Sequence, residues 1–108
     1  MSNNNISVLM SIWAGTDADF FEQSVKSILV NQSHLPNELI VVLDGQPSSS
    51  VQGILNRLID KSIVPIRPVP LKGHHGLGYA LNEGINHCNY ELIARMDDDD
   101  ISRPDRLQ

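Results

Sequence analysis

Apolar positions along this chain fall into two alternating patterns, and the alternation predicts the architecture. Ile6 to Trp13 (ISVLMSIW) is a short, nearly continuous apolar run, the pattern of a strand buried on both faces. Asp17 or Asp19 then caps a helix in which Phe21, Val25, Ile28 and Leu29 recur at helical spacing, and Pro36 closes the segment. Leu39 to Leu43 (LIVVL) is a second continuous, β-branched run that leads into the turn dipeptide Asp44-Gly45. After a loop at Pro47 to Ser50, Val51, Ile54, Leu55, Leu58 and Ile59 form one helical stripe, weakened slightly by Gly53. Ile63 to Val69 contains Pro65 and Pro68, which cannot donate to a ladder, so it reads as an edge strand. Leu77, Ala80, Leu81, Gly84, Ile85 and Cys88 mark a third helix with a small-residue face. Tyr90 to Met96 (YELIARM) is a fourth strand that empties into Asp97-Asp98-Asp99-Asp100.

Strands alternating with helices predict an α/β, Rossmann-like parallel sheet of about four strands with right-handed crossovers. The consequence is geometric, because in such a sheet every strand's carboxyl end lies on one rim and ligands bind in the crevice there. Ser11 and Trp13 close strand one, Asp44 follows strand two, Lys72, His74 and His75 follow strand three, and the acid run follows strand four. Chemistry is expected on that rim.

Composition narrows the classes. A length of 108 residues allows one small domain, and 41% hydrophobic with 19% charged residues is ordinary for a globular chain. The polar start at Met1 to Asn5 lacks a secretory pattern, and no apolar run approaches the roughly 18 residues of a membrane span, so a cytoplasmic setting is expected. The single cysteine, Cys88, forms no internal disulfide and reads as packing. A net charge of -5 argues against nucleic-acid binding. Five of the thirteen acids, Asp97 to Asp100 and Asp105, fall in the last dozen residues, so the charge is a local feature. At the end of the chain, Ser102 and Asp105 make a capping-box-like pair with Pro104 in a first helical turn. A helix begun there and cut short predicts that the chain is a fragment.

Four adjacent carboxylates are costly without a cation, each like-charge pair about 4 Å apart costing on the order of 4 kcal/mol at an effective dielectric near 20. Alone, such a run reads equally as a solvated turn or as a metal site; its place at the end of a buried strand, on the rim that holds Asp44, favours the metal. If the strand continues extended, Asp97 and Asp99 face one side and Asp98 and Asp100 the other. An Asp-x-Asp pair suits a hard divalent ion, Mg²⁺ or Mn²⁺, with positions left open for phosphate oxygens. Adjacent His74 and His75 suit phosphate or solvent contact better than a tetrahedral metal, and Gly73 to Gly78 has the order GxxGxG, not a dinucleotide fingerprint.

The ordered set Ser7 to Trp13, Leu39 to Gly45, Gly76 to Asn82 and Ala94 to Leu107 resembles a family 2 glycosyltransferase over essentially the whole chain, especially bacterial enzymes that build surface polysaccharides. The resemblance implies that residues 1–108 are the N-terminal, nucleotide-sugar-binding part of a GT-A domain, truncated before the acceptor-binding half. It implies a metal-dependent, inverting transfer of a sugar from a nucleotide-diphosphate donor, a UDP-sugar first among them, to a hydroxyl of a saccharide or lipid-linked acceptor. By the same resemblance Ser11, Trp13, Asp44 and Asp97 bind the donor and Asp97 and Asp99 the metal, with Asp98 at a variable position and the catalytic base beyond residue 108. Trp13 stands where the family often has Tyr and is placed to stack on a nucleobase or to be a half-buried strand-end aromatic. Leu43 stands where the family often has a first acid before Asp44-Gly45, which leaves the nucleobase open. Two other classes fit parts of the pattern: an aspartyl phosphotransferase of phosphatase type, with Asp97 as nucleophile and Asp99 as its acid partner, and a non-catalytic nucleotide or cation-binding module.

Overall fold

The computed structural model describes residues 5–30, 32–99 and 107. Its elements run β1 (Ile6–Ile12), α1 (Ala18–Leu29), β2 (Glu38–Leu43), α2 (Ser49–Lys61), β3 (Ile66–Pro70), α3 (Leu77–Ile85) and β4 (Leu92–Arg95). The strands form one sheet in the order β3-β2-β1-β4, and all three pairings are parallel. The expected Rossmann-like α/β sheet is the observed one.

Side-chain parity explains how the sheet is covered. On one face Val8, Met10, Ile12, Leu39, Val41 and Leu43 pack against Phe21, Val25 and Ile28 of α1 and Val51 and Leu55 of α2. On the other face Leu9, Ile40, Val42 and Val69 meet Ala80 of α3. Both central strands are therefore buried from end to end, which is why they read as continuous apolar runs. Gly84 allows α3 to sit close, since a Cβ there would run into Leu9 and come within 2.8 Å of Val42 Cγ2.

Element ends differ from the sequence expectation for identifiable reasons. Asp17, not Asp19, caps α1 by accepting from the Phe20 N–H at 3.0 Å, and Ser48, inside the expected loop, caps α2 through the Val51 N–H. β1 stops at Ile12, before Trp13. β3 begins three residues later than expected, leaving Ile63 at 93% exposure outside the sheet, and runs on to Pro70. It is an edge strand as expected. Leu39 donates to the Pro65 carbonyl and Leu71 to that of Leu43, so odd-numbered residues of β3 face β2 and the nitrogens of Pro68 and Pro70 point to the free edge.

α3 ends at Ile85, not near Cys88, because the N–H groups of Asn86, His87 and Cys88 turn back to carbonyls three residues earlier. β4 is shorter than Tyr90 to Met96 and, among the described residues, forms the second edge of the sheet. The helix expected from Ser102 to Asp105 lies outside the described residues. Leu107 packs into the α1–α2 side of the core, and its N–H donates to the Gln32 Oε1.

Candidate functional site

The parity that builds the core also aims the polar residues. On β1, Ser11 shares the α3 side of the sheet with Leu9; on β2, the alternation Ile40, Val42 leads to Asp44 just past the strand end; and β4, which ends at Arg95, leads through Met96 to Asp97. These residues meet at the carboxyl edge in a crevice of about 420 Å³ lined by Ser11, Trp13, Asp44, His74, Gly76, Leu77, Met96 and Asp97 to Asp99. The structure thus brings together every residue that the sequence placed on the rim as donor-binding or metal-binding: Ser11, Trp13, Asp44, Asp97 and Asp99.

Asp44 is 3% exposed, and its carboxylate is engaged by the loop that leads into α3. Oδ1 accepts from the His75 N–H at 2.6 Å, Oδ2 accepts from the Gly76 N–H at 3.0 Å, and His74 Nδ1 lies 3.2 Å from Oδ2. Gly45 makes the approach possible: its φ is +82°, and a Cβ there would come within 3.3 Å of the His74 backbone nitrogen. The first job of this acid is to fix the β3–α3 loop, a role with no local sequence signal, because its partners lie about thirty residues away.

Trp13 is 49% exposed, and its indole lies over Gly15, where a Cβ would collide with the ring. Its ring centroid is 5.6 Å from that of His74, tilted by 40°, so the two rings stand together at one side of the crevice. His75 turns away from the crevice, stacking on Tyr79 at 4.4 Å with Nε2 2.6 Å from the Lys72 carbonyl oxygen.

The acid run is not an extension of β4. The strand ends at Arg95, and Asp98 and Asp99 lie in a turn. The side chains separate nonetheless. Asp97 and Asp99 are exposed at the crevice, while Asp98 is partly buried and turned toward the β1–α1 connection. There the Thr16 hydroxyl donates to Asp98 Oδ2 at 2.6 Å and the Ser24 hydroxyl to the Asp98 carbonyl at 2.9 Å. Burial pushes the Asp98 carboxyl above the usual carboxylate range; the Thr16 bond opposes the shift, and the charges of Asp99 and Asp97 add to it. Asp100 lies outside the described residues.

Asp97 and Asp99 present exposed oxygen donors on the crevice wall, which fits a hard divalent cation. Among the described residues no group of three His, Cys, Asp or Glu side chains is arranged to hold a metal by itself. A cation at this pair would complete its shell with oxygens from water or from a ligand.

A second polar cluster lies at the opposite end of the sheet. Glu38, 1% exposed, accepts from the Ser7 hydroxyl, from the N–H and side-chain amide of Asn89, and from Arg67 Nε, all within 3.0 Å. Burial pushes its carboxyl upward, but the bonds from Asn89, Ser7 and Arg67 outweigh burial and hold it below the usual range. Close by, burial first and the Glu38 charge second push the Cys88 thiol up, consistent with packing rather than nucleophilic chemistry. This cluster is structural, and Glu38 was not legible as part of strand two.

Fold and rim together define the class: an α/β protein with a Rossmann-like parallel sheet of GT-A type and an acid-lined crevice at its carboxyl edge. Residues 7–108 match the sequence profile of Glycosyl transferase family 2, and the chain belongs to that family. Among curated relatives it is 36% identical over 102 residues to the amylovoran biosynthesis glycosyltransferase AmsE of Erwinia amylovora, covering 94% of this chain and 37% of the relative. It is also 36% identical over 104 residues to the Escherichia coli UDP-Gal:alpha-D-GlcNAc-diphosphoundecaprenol beta-1,3-galactosyltransferase, covering 94% of this chain and 36% of the relative. The chain therefore spans a little over a third of these relatives' length. Two solved structures share the fold. S. aureus TarS (1-349) in complex with UDP superposes with a TM-score of 0.78 at 18% identity, over 95% of this chain and 30% of that one. The mannosyltransferase PcManGT of Pyrobaculum calidifontis, in complex with GDP-Man and Mn²⁺, gives 0.75 at 19%, over 88% and 27%. No helix among the described residues is long and apolar enough to cross a membrane.

Proposed function

We propose that this chain is the donor-binding part of a metal-dependent, inverting glycosyltransferase that moves a sugar from a nucleotide diphosphate to an acceptor hydroxyl in the cytoplasm. The observation that carries the reading is the convergence on one crevice of an aromatic ring, Trp13, at the end of β1 and an exposed carboxylate pair, Asp97 and Asp99, after β4. A nucleotide diphosphate needs both: an apolar face for its base and charge compensation for its phosphates. Trp13 and Ser11 address the nucleoside, Asp44 and the loop it holds close the base and ribose side, and Asp97 lies between ribose and diphosphate.

Asp97 and Asp99 would hold the divalent cation, Mn²⁺ or Mg²⁺. Bound there, it supplies charge neutralisation to the departing diphosphate. The likeness to a galactosyltransferase named for UDP-Gal and a diphosphoundecaprenol-linked substrate supports a UDP-sugar donor and a saccharide or lipid-linked acceptor. The amylovoran relative supports a place in polysaccharide assembly, and the solved structures with UDP and with GDP-Man and Mn²⁺ support nucleotide and metal. We assign no catalytic base within residues 1–108; deprotonating the acceptor is a task for the acceptor-binding half of the domain.

Calorimetric titration with UDP and with inorganic diphosphate, each with and without Mn²⁺, tests the reading. Mn²⁺ should tighten both, Asp99→Asn should abolish that gain, and Trp13→Ala should weaken UDP while leaving inorganic diphosphate within about twofold. Equal loss of both ligands in Trp13→Ala, or no gain from Mn²⁺, overturns it.

A further inference from the structure

One buried hydroxyl connects the two sides of the crevice. Thr16 is 7% exposed and lies in the β1–α1 connection. Its Oγ1 accepts from the Trp13 N–H at 2.9 Å and donates to Asp98 Oδ2 at 2.6 Å, a contact spanning 82 residues of sequence. The Thr16 N–H also returns to the Trp13 carbonyl at 3.1 Å, so the backbone of Trp13 is gripped from both sides. A hydroxyl oxygen can accept and donate at the same atom, and here it does both. Asp98 in turn has its carbonyl held by Ser24 of α1, so the turn carrying Asp97 and Asp99 is fastened at its middle residue.

We propose that Thr16 is a positioning residue that sets the acid turn in register with the strand end carrying Trp13, coupling the nucleobase side of the crevice to the diphosphate and cation side. The inference rests on the donor-site reading above. Thr16 does not line the crevice; it acts through Trp13 and Asp98. Removing its hydroxyl leaves the Trp13 N–H and the Asp98 carboxylate without this partner, and the two halves of the site then vary independently. The expected signature is a loss of coupling between ligands rather than a loss of either one.

The coupling is read as the ratio of UDP affinity with Mn²⁺ to that without, compared with the affinity for uridine, which lacks the diphosphate. Thr16→Val should reduce the ratio about tenfold, a size ordinary for coupled sites, while changing uridine affinity by less than about twofold. Thr16→Ser, which keeps the hydroxyl, should restore the ratio. A second measurement needs no variant: Mg²⁺ alone, titrated into the isotope-labelled wild-type chain, should shift the amide resonances of Trp13 and Thr16 along with those of Asp97 to Asp99. The proposal is overturned if Thr16→Val keeps the ratio, if it weakens uridine and UDP equally, or if the Trp13 amide is silent to Mg²⁺ while the acid turn responds. A wild-type chain that binds no UDP overturns the donor-site reading, and the coupling proposal with it.

Discussion

Replacing Asp44 by alanine tests the claim that this acid first of all builds the loop. Its carboxylate receives the His75 and Gly76 N–H groups and lies beside His74 Nδ1, at 2.6, 3.0 and 3.2 Å. A hydrogen bond to a charged group contributes roughly 1.5–3 kcal/mol net, and each donor left unsatisfied costs about 1–3 kcal/mol. Water can reach part of the loop, because the His74 ring is more than half exposed, and will replace some of what is lost. Counting the two backbone donors and discounting for water, Asp44→Ala should cost about 2–4 kcal/mol, a large share of the roughly 5–15 kcal/mol typical of a folded domain. Asp44→Asn keeps one acceptor oxygen but turns an amide NH₂ toward the other N–H, so it should cost about half as much. Urea denaturation gives the loss, and amide hydrogen exchange should accelerate specifically at His75 and Gly76. A cost below about 0.5 kcal/mol, or unchanged protection at both amides, would refute the reasoning and leave Asp44 free to act on a ligand alone.

Other consequences follow from the same geometry. Gly84→Ala gains up to about 1 kcal/mol of helix propensity but forces a methyl group into Leu9 and Val42, so it should destabilise by a net of about 1–2 kcal/mol in the same urea assay. Glu38 is held below its ordinary value of 4.5, so the folded state binds fewer protons there than the unfolded chain. That contribution is fully present above about pH 4.5 and is lost as pH falls through the folded-state value; Glu38→Gln should remove this part of the acid sensitivity, and urea midpoints from pH 7 down to pH 3 measure it. Mn²⁺ at about ten times its dissociation constant should stabilise the chain by about 1.4 kcal/mol, a rise of roughly 6 °C in Tm, and Asp99→Asn should abolish most of it. Equal thermal shifts in wild type and variant would make the acid run a solvated turn.

How far the sequence could be read depended on the range of the interactions. β1 and β2 were legible because burial on both faces writes itself as an unbroken apolar run, and α1 and α2 because one buried face gives a single stripe. From strand ends alone Ser11, Trp13, Asp44 and the acids could be placed on one rim, since a parallel sheet leaves no other arrangement. Glu38 was missed because a charged residue at a strand start looks like the preceding loop, and its partners Ser7, Arg67 and Asn89 lie 29 to 51 residues away. The Thr16–Asp98 bond carried no sign for the same reason, nor did the engagement of Asp44 with the His75–Gly76 backbone. Simple strand alternation separated Asp97 and Asp99 from Asp98, yet the separation is made by a turn and a threonine hook. β3 was displaced by three residues because its prolines hide the pattern, and they are tolerated only because their nitrogens face the open edge.

Anomalous diffraction at the manganese edge, from crystals of this chain grown with UDP and Mn²⁺, tests the central claim most directly. The account predicts one strong manganese peak at the Asp97 and Asp99 carboxylates, the diphosphate against it, and the uracil on the Trp13 side of the same crevice. UDP bound elsewhere on the chain, or a crevice holding nucleotide with no manganese at these two acids, would contradict it.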